Sequence, residues 1–512
     1  MKKTIASIIA LILVFTLFAC GNIKQIKGYF VDLETYMTTI EFSVEIVDPK
    51  EEITGNVIVE IYKEKEINLV DSKILYNETD YSNLSFRNLE ANQSYKIVIK
   101  AMIGRKSETI EEIIVKTKEV GTIYIKTVDD FIKMNNNPEG IFILENDLDF
   151  EDDTITTLFS SSSKSFKGSF DGQGYTIKNF NINSVGLYGG LFGYIDTGVV
   201  KNLNIENFNI GTIEKYVTTS STSKVGLLAG LVYSNKAVIE NITIKNSSMY
   251  ISSSSTNQFY VGGLVGDLRS QIKNITIENS VMDIKTTNDL KLKLGGVAGY
   301  VDDNAAIRNT IANIDIKYSL EAKFSNVINR EFILNIGGIV GDYNSRLSKG
   351  LSEIIYEGNI EVNLDFGTNE DQEGNYRLNL GGIAGVAYGQ MENILTSSNI
   401  TVNHDKNEYE ENSVIRFYVG GITGYLETNH SIKEVLFYNI DKEINLNISD
   451  DVSYYVSYTT GYKAANSKQT LNYFNQDLLF KNGENIVENT VSERISDINE
   501  FFSSNFINEY LK

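Results

Sequence analysis

The chain has 512 residues, of which 42% are hydrophobic, and a formal net charge of −21, so it is long enough for more than one domain with a buried core. The acidic balance disfavours binding to nucleic acid or to anionic lipid by charge, because both carry the same sign. A single cysteine excludes an internal disulfide, so the fold must be stabilised by packing.

The first 19 residues predict an export signal. A charged start precedes an apolar run over 5–18, which is too short to favour a permanent span, and Leu17-Phe18-Ala19 leads directly to Cys20. This segment resembles the lipobox of bacterial lipoproteins, a family in which the cysteine is acylated and becomes the first mature residue. The resemblance implies a signal peptide over 1–19, a lipidated N-terminus over 20–22, and anchoring in the bacterial cell envelope through Cys20. The alternative is an ordinary secretory signal with an incidental cysteine.

Residues 23–118 predict an all-β domain. Apolar and polar residues alternate over 40–46, 57–61 and 95–101, which is typical of half-buried strands. The run 89–95, which ends at Tyr95, resembles the tyrosine corner of fibronectin type III domains. The resemblance implies a β-sandwich in which Tyr95 bonds back to the preceding turn and Phe42 replaces the usual tryptophan. An unrelated β-sandwich is the alternative, and either would serve as a spacer or binding module.

A phrase of the form Gly-Gly-aliphatic-small-Gly recurs over the region 119–480. Its closing glycines follow one another at intervals of 33 to 44 residues, which predicts a repeat array. These glycines are Gly193, Gly230, Gly266, Gly299, Gly341, Gly385, Gly424 and Gly461. Ahead of them, Thr127 to Phe131 reads as a capping box with a short helix to about Asn136.

Each glycine phrase is interpreted as one strand with an inward aliphatic face. Leu264 and Leu268, for example, stand two residues before and after Gly266, so strand alternation places all three on one face. Each buried Leu or Ile contributes about 1.5–3 kcal/mol, but only a stack of repeats can bury that face.

A recurring asparagine follows each of five glycine phrases. Asparagine tolerates the left-handed backbone of a tight corner, and stacked amides can bond from repeat to repeat as a ladder. The alternative is unconnected turn asparagines in an Asn-rich chain. The predicted ladder residues are Asn202, Asn241, Asn274, Asn309 and Asn393.

Three features together resemble the GLUG-motif repeats of bacterial surface proteins and the N-terminal repeat domain of IgA1-specific metallo-endopeptidases. They are Asp147-Leu148-Asp149, the turn 170–174 and the glycine phrases. The resemblance implies a right-handed parallel β-helix over 119–480. The fold class expected for the whole chain is therefore all-β, an N-terminal β-sandwich followed by this solenoid, with short helical caps. The last cap, over 481–512, rests on an amphipathic helical pattern in 492–511.

The resemblance carries over no catalytic residue. The endopeptidases hold zinc in an H-E-x-x-H motif of a separate domain, and this chain lacks that motif. Its two histidines, His404 and His430, fall in a predicted loop and a predicted turn. We therefore predict no catalytic residue, metal or cofactor. Five carboxylates in 146–153 leave calcium binding as an open alternative.

One outward position, directly after the closing glycine, provides the candidate binding face. There an aromatic–acid stripe can stack on and hydrogen-bond a sugar, although Tyr and Asp also suit an ordinary exposed β-face. The two acids lie two repeats apart, about 10 Å by strand spacing, and a glycosidase needs two carboxylates facing one groove. The residues are Tyr194, Asp267, Tyr300, Asp342 and Tyr425.

Inserts of varied length precede the glycine phrases, and in solenoids such inserts gather on one face, often the binding face. Tolerated insertion drift explains them equally well. They cover 252–258, 285–291, 325–332, 367–377 and 404–416.

The function predicted from these features is that of a lipid-anchored cell-surface protein that presents a β-helix for adhesion or ligand binding, without catalysis. Its partners would be the membrane, through the anchor, and a host matrix protein or glycan, but no nucleic acid. The alternatives are a polysaccharide lyase or glycoside hydrolase acting on a surface glycan, and a passive envelope component.

Overall fold

The computed structural model describes most of the chain between residues 26 and 464 and short segments beyond. The signal peptide, Cys20 and most of the predicted cap over 481–512 lie outside the described residues. The described ranges are 26–66, 68–87, 89–119, 121–288, 291–321, 330–348, 350–366, 374–404, 414–427, 430–437, 443–448, 452–457, 459–464, 468–474, 480–482, 485–487, 493–494 and 507. The chain divides into two compact units, 1–119 and 120–512.

The first unit has two antiparallel sheets, of three and four strands within the described residues. The three-stranded sheet contains Lys27–Thr35, Ile40–Val47 and Leu84–Phe86. The four-stranded sheet contains Leu69–Leu75, Ile53–Lys63, Ser94–Ile103 and Lys106–Lys116 in spatial order, and a 3-10 turn spans Glu78–Tyr81.

Alternating apolar residues from both sheets form a single core in this unit. Phe42 is buried there, with its ring centroid 5.6 Å from that of Phe86. The Tyr95 hydroxyl accepts a hydrogen bond from the Glu90 amide at 2.8 Å, so this buried tyrosine bonds back to the turn that precedes its strand.

The second unit begins with a strand and one short helix, Val128–Lys133, continued by a 3-10 turn over Met134–Asn136. Thr127 accepts from the Asp130 amide at 3.1 Å, and the Asp130 carboxylate accepts from the Thr127 amide at 3.0 Å. These reciprocal bonds are the capping box predicted from the sequence, and they satisfy amides that the first turn leaves open. A second 3-10 turn spans Ser162–Lys164.

The largest sheet of this unit, here called the long sheet, has 21 strands within the described residues and is parallel except for one terminal hairpin, Phe480–Asn482 with Asn485–Val487. In chain order its strands are Thr122–Ile125, Ile141–Leu144, Leu148–Thr154, Ser169–Asp171, Thr176–Ile182, Val199–Ile210, Val217–Thr219, Val238–Lys245, Ser248–Ser253, Gln271–Thr286, Ala306–Glu321, Leu351–Tyr356, Ile360–Asp365, Met391–Thr396, Ile400–His404, Ser431–Phe437, Ile444–Asn447, Lys468–Phe474, Phe480–Asn482, Asn485–Val487 and Glu493–Arg494.

Two further parallel sheets, each of eight described strands, flank the glycine phrases. The strands of the first, here called the entry sheet, come directly before the glycine phrases in the chain. They are Tyr188–Gly189, Lys224–Gly226, Gln258–Gly262, Lys291–Gly295, Arg330–Gly337, Gly374–Gly381, Val414–Gly420 and Ser453–Ser457. The strands of the second, here called the exit sheet, follow the corner of each glycine phrase. They are Phe192–Ile195, Ala229–Val232, Val265–Leu268, Ala298–Val301, Val340–Tyr343, Ala384–Ala387, Thr423–Leu426 and Thr460–Lys463.

The chain visits these sheets in a fixed order: entry, exit, long. Each strand pairs in parallel with its equivalent one repeat later, as Val265 does with Ala298. One continuous apolar core fills the space between the sheets, and Leu264 and Leu268 within it are fully buried. The protein is therefore all-β with long parallel sheets, an arrangement compatible with a solenoid.

The glycine phrase is a corner, and its interpretation as one strand was wrong. The entry strand ends at Gly262 and the exit strand begins at Val265. A Cβ atom on Gly263 would lie 2.0 Å from the carbonyl oxygen of Gly296 in the next repeat. The first two glycines of the phrase are thus needed because stacked corners bring backbone against backbone.

Candidate binding face

The five residues predicted for the binding face lie in one column of the exit sheet. Parallel pairing joins equivalent positions of successive repeats, so Asp267 pairs with Tyr300 and Tyr300 with Asp342. The complete column is Tyr194, Leu231, Asp267, Tyr300, Asp342, Val386, Tyr425 and Tyr462.

A second column, in the entry sheet, contacts the first and was missed by the sequence reasoning. From the second glycine phrase onward its residues stand two positions before the end of each entry strand, a regular spacing that was available in the sequence. The column is Tyr188, Lys224, Tyr260, Lys293, Asn335, Asn379, Tyr418 and Tyr455. We call the two columns, with the adjoining Tyr233, Arg269 and Arg377, the tyrosine face.

Asp267 is not the exposed acid that the sequence predicted. Its side chain is only 1% exposed, and its Oδ2 atom lies 2.6 Å from Lys224 Nζ and 3.0 Å from Arg269 Nη2. The hydrogen bond from Arg269 to this carboxylate raises the pKa of the guanidinium above its usual value. Lys224, from an entry strand, and Arg269, just beyond the end of Asp267's own strand, therefore cover the carboxylate and remove it from contact with solvent.

Asp342 is held in the same way. Its Oδ2 atom lies 3.0 Å from Lys293 Nζ and 3.2 Å from Asn335 Nδ2. Lys293 Nζ also lies 3.9 Å from the ring centroid of Tyr300, a cation–π contact. A glycosidase needs two carboxylates that face one groove. Asp267 and Asp342 are instead each engaged by cations of the face.

A tyrosine cluster occupies the start of the face. The Tyr188 and Tyr194 rings meet edge to face at 5.1 Å, Tyr194 lies 5.7 Å from Tyr233, and the Arg269 guanidinium lies 5.3 Å from the Tyr233 ring. Tyr194 was expected to face outward but is only 8% exposed. Burial raises its pKa to about 12, so it stays a neutral hydrogen-bonding phenol at physiological pH.

A larger tyrosine cluster lies at the opposite end of the face, in the last strands of the two columns. The Tyr425 and Tyr462 rings stack at 5.1 Å, and Tyr418 contacts both of them. The Arg377 guanidinium lies 4.6 Å from the Tyr425 ring centroid. Tyr455, 5.8 Å from Tyr462, is 48% exposed, and Tyr462 is 37% exposed. This end of the face presents aromatic surface that the described residues leave uncovered.

Hydrogen bonds between side-chain amides join successive repeats at the predicted asparagine positions. The Nδ2 of Asn241 donates to Asn202 Oδ1 at 2.7 Å, that of Asn274 to Asn241 at 2.8 Å, and that of Asn309 to Asn274 at 3.2 Å. All four residues and Asn393 have left-handed φ values between 49° and 57°. Because each lies inside a strand, the amide supports a bend without ending the strand. Glu353 and Glu434 occupy the same position with φ of 58° and 53°.

Two of the five carboxylates in the candidate calcium segment accept hydrogen bonds from the chain itself. In 146–153, Asp147 accepts from the Thr176 amide at 2.8 Å, and Asp149 accepts from Asn179 Nδ2 at 2.9 Å. His404, predicted in a loop, ends a strand and is buried between Phe366 and Phe417. Among the described residues, no group of three or more His, Cys, Asp or Glu side chains is placed to hold a metal ion.

The inserts share one location in the repeat. Each joins the end of a long-sheet strand to the next entry strand, as between Glu321 and Arg330 and between His404 and Val414. Most of 325–332, 367–377 and 404–416 lies outside the described residues, as do residues 289 and 290.

No protein-family model matches the chain, and no curated protein matches it significantly. Within the described part of the sequence, no helix has the length and apolar character needed to cross a membrane.

Proposed function

We propose that this chain is a lipid-anchored protein of the bacterial cell envelope that binds a protein partner through the tyrosine face, without catalysis. In this proposal Cys20 carries the lipid, a fibronectin type III-like sandwich forms the first unit, and the second unit is a right-handed parallel β-helix. The lipobox and GLUG-like phrases, the Tyr95 hydrogen bond and the parallel sheets support these parts.

The single observation that carries the binding function is the exposed tyrosine cluster under Arg377. Tyrosine and arginine are enriched among the residues that contribute most to protein–protein binding energy. Tyrosine adds large contact area at a small cost in side-chain entropy. Here Tyr418 and Tyr425 hold the outer rings of Tyr455 and Tyr462 in place, so the surface is organised before a partner arrives.

The rest of the face supports binding more than bond cleavage. Lys224 and Arg269 hold Asp267, and Lys293 holds Asp342, so these carboxylates fix the geometry of both columns. Their charges are largely balanced inside the face. A partner would thus contact neutral phenols and an arginine at the edge of the cluster. Interface cores are typically rich in such residues and depleted in carboxylates.

A binding panel tests the proposal. The chain from residue 21 onward is passed over immobilised matrix proteins and glycans, with retention and new sugar ends scored together. We expect saturable retention on at least one protein and intact glycans. The double variant Tyr455→Ala, Tyr462→Ala should bind that protein at least tenfold more weakly, because loss of two binding tyrosines costs about 2 kcal/mol or more.

The matched control is Tyr124→Ala, Tyr175→Ala, which removes two exposed tyrosines of the same unit from outside the face. It should bind like the parent chain. Equal weakening by both double variants, or retention on no protein, would contradict the proposal. New reducing or unsaturated sugar ends would replace it with a glycan-cleaving enzyme.

A further inference from the structure

The four-stranded sheet of the first unit has an open apolar edge. Its outermost strand, Leu69–Leu75, pairs on one side with Ile53–Lys63, and no described strand pairs with its other side. An edge strand is a template for pairing with another chain, and proteins usually cover or shorten such edges. Here the apolar side chains are uncovered, since Leu69, Val70 and Ile74 are between 44% and 51% exposed.

The sequence of this strand, L-V-D-S-K-I-L, is complementary to itself. An antiparallel pairing of two copies about Ser72 places Asp71 of each copy opposite Lys73 of the other, and Val70 opposite Ile74. Directly opposite side chains of an antiparallel pair contact each other, and both opposite charges and apolar pairs stabilise the pairing. Because the arrangement has twofold symmetry, each of these contacts forms twice.

The polar groups of this strand suit such a partner. The Ser72 amide donates to Asp71 Oδ1 at 2.8 Å, so an N–H at the centre of the strand bonds to a side chain that a partner carbonyl can replace. Lys73 Nζ lies 3.6 Å from Asp71 Oδ2, and both side chains are at least 40% exposed. A second copy would convert this single ion pair into a cluster of two ammonium groups and two carboxylates, with no charge left unpaired.

The opposite edge of the same sheet lacks this complementarity. Its strand, Lys106–Lys116, is also paired on one side only among the described strands, but its central residue is Glu111 and the next is Glu112. Self-pairing about Glu111 would place two carboxylates opposite each other, which is destabilising. Charge therefore favours a second copy at Leu69–Leu75 and opposes one at Lys106–Lys116.

We infer that two copies of this chain associate through antiparallel pairing of Leu69–Leu75, which joins their four-stranded sheets into one continuous sheet. This contact is separate from the tyrosine face, which belongs to the second unit. Because one strand per copy is a small interface, the dimer should be weak, with a dissociation constant in the micromolar range. The proposed lipid anchor would raise the effective concentration of two copies on one membrane and so favour the pair.

Sedimentation velocity on the chain from residue 21 onward tests the inference over protein concentrations of about 1–200 µM, which bracket a micromolar dissociation constant. The parent chain should show a reversible monomer–dimer equilibrium. Asp71→Lys and Lys73→Asp should each weaken dimerisation at least tenfold, because each change places like charges opposite each other twice.

An equimolar mixture of these two variants should dimerise again, since one strand then carries two positive charges and the other carries two negative charges. Recovery in the mixture also excludes misfolding of either variant as the cause of the weakening.

Two controls separate the possible outcomes. Glu45→Lys reverses an exposed carboxylate on the other sheet of the same unit and should leave the equilibrium unchanged. Tyr455→Ala, Tyr462→Ala should also leave it unchanged, so failure of the tyrosine face and failure of this edge can be told apart. A chain that stays monomeric over the whole range, or a dimer that persists unchanged in Asp71→Lys and Lys73→Asp, would overturn the inference. Loss of the dimer in the tyrosine variant alone would replace this edge with the tyrosine face as the contact between copies.

Discussion

Buried tyrosines of the face should ionise later than ordinary phenols. Burial raises the pKa of Tyr194 and of Tyr260 to about 12. Because the folded state holds these protons more tightly than the unfolded state, their stabilising effect is complete below about pH 10 and is lost as pH rises towards about 12. In a phenolate absorbance titration, Tyr260→Phe should remove part of the step near pH 12.

The titration in denaturant is the control, since all phenols of an unfolded chain ionise near pH 10. A folded chain whose phenolate titration curve coincides with the curve in denaturant, in parent and variant alike, would show that Tyr194 and Tyr260 are solvated.

The buried ion pair of the face should matter more to stability than an exposed one of the same length. Lys224 Nζ lies 2.6 Å from the buried Asp267, whereas Lys245 Nζ lies 2.7 Å from Glu278 with both side chains at least 40% exposed. Lys224→Met should lower the free energy of unfolding by about 1.5–3 kcal/mol, the value of a hydrogen bond to a charged group. Lys245→Met should change it by about 1 kcal/mol or less. Denaturant unfolding measures both, and equal losses would refute the burial argument.

The proposed lipid anchor depends on one atom, the Cys20 thiol. In cells supplied with labelled palmitate, the parent chain should incorporate label and Cys20→Ala should not, because no other cysteine exists to carry it. Label of equal intensity in the variant would remove the anchor from the proposal.

At the scale of the element, the glycine corner should tolerate no side chain. A Cβ atom at position 263 would lie 2.0 Å from the Gly296 carbonyl oxygen, while one at position 186 would have no heavy atom within 4 Å. Gly263→Ala should therefore lower the free energy of unfolding by about 1–3 kcal/mol, as overpacking does, and Gly186→Ala should be close to neutral. A neutral Gly263→Ala in denaturant unfolding would mean that the corners are not stacked as closely as described.

The sequence predicts elements well where one local signal decides the structure. The Thr127 cap, the period-two strands around Tyr95 and the recurring Asn241-type bends each follow from local chemistry. The glycine phrase was misread as one strand because its aliphatic residues alternate like a strand, although the need for two adjacent glycines arises only from the neighbouring repeat. Asp267 was misread for a related reason: its partner Lys224 lies 43 residues earlier in the chain.

At the scale of the whole molecule, stacking turns weak repeats into a continuous surface. Parallel pairing places equivalent positions of successive repeats side by side, so a residue type repeated at one position becomes a column. The exit column was predicted from its place after the closing glycine. The entry column, which supplies Tyr260, Tyr418 and Tyr455, was missed because the prediction used only the positions that follow the closing glycine.

The central claim is that the tyrosine face is the surface that contacts a partner, and hydrogen exchange of the complex tests it most directly. With a protein retained on the panel bound to the chain from residue 21 onward, we expect slowed amide exchange in Ser453–Ser457 and Thr460–Lys463, which carry the exposed rings of Tyr455 and Tyr462. Exchange in the long sheet, such as Gln271–Thr286, should stay unchanged. Protection confined to the long sheet or to the first unit, with Ser453–Ser457 and Thr460–Lys463 unaffected, would contradict the account.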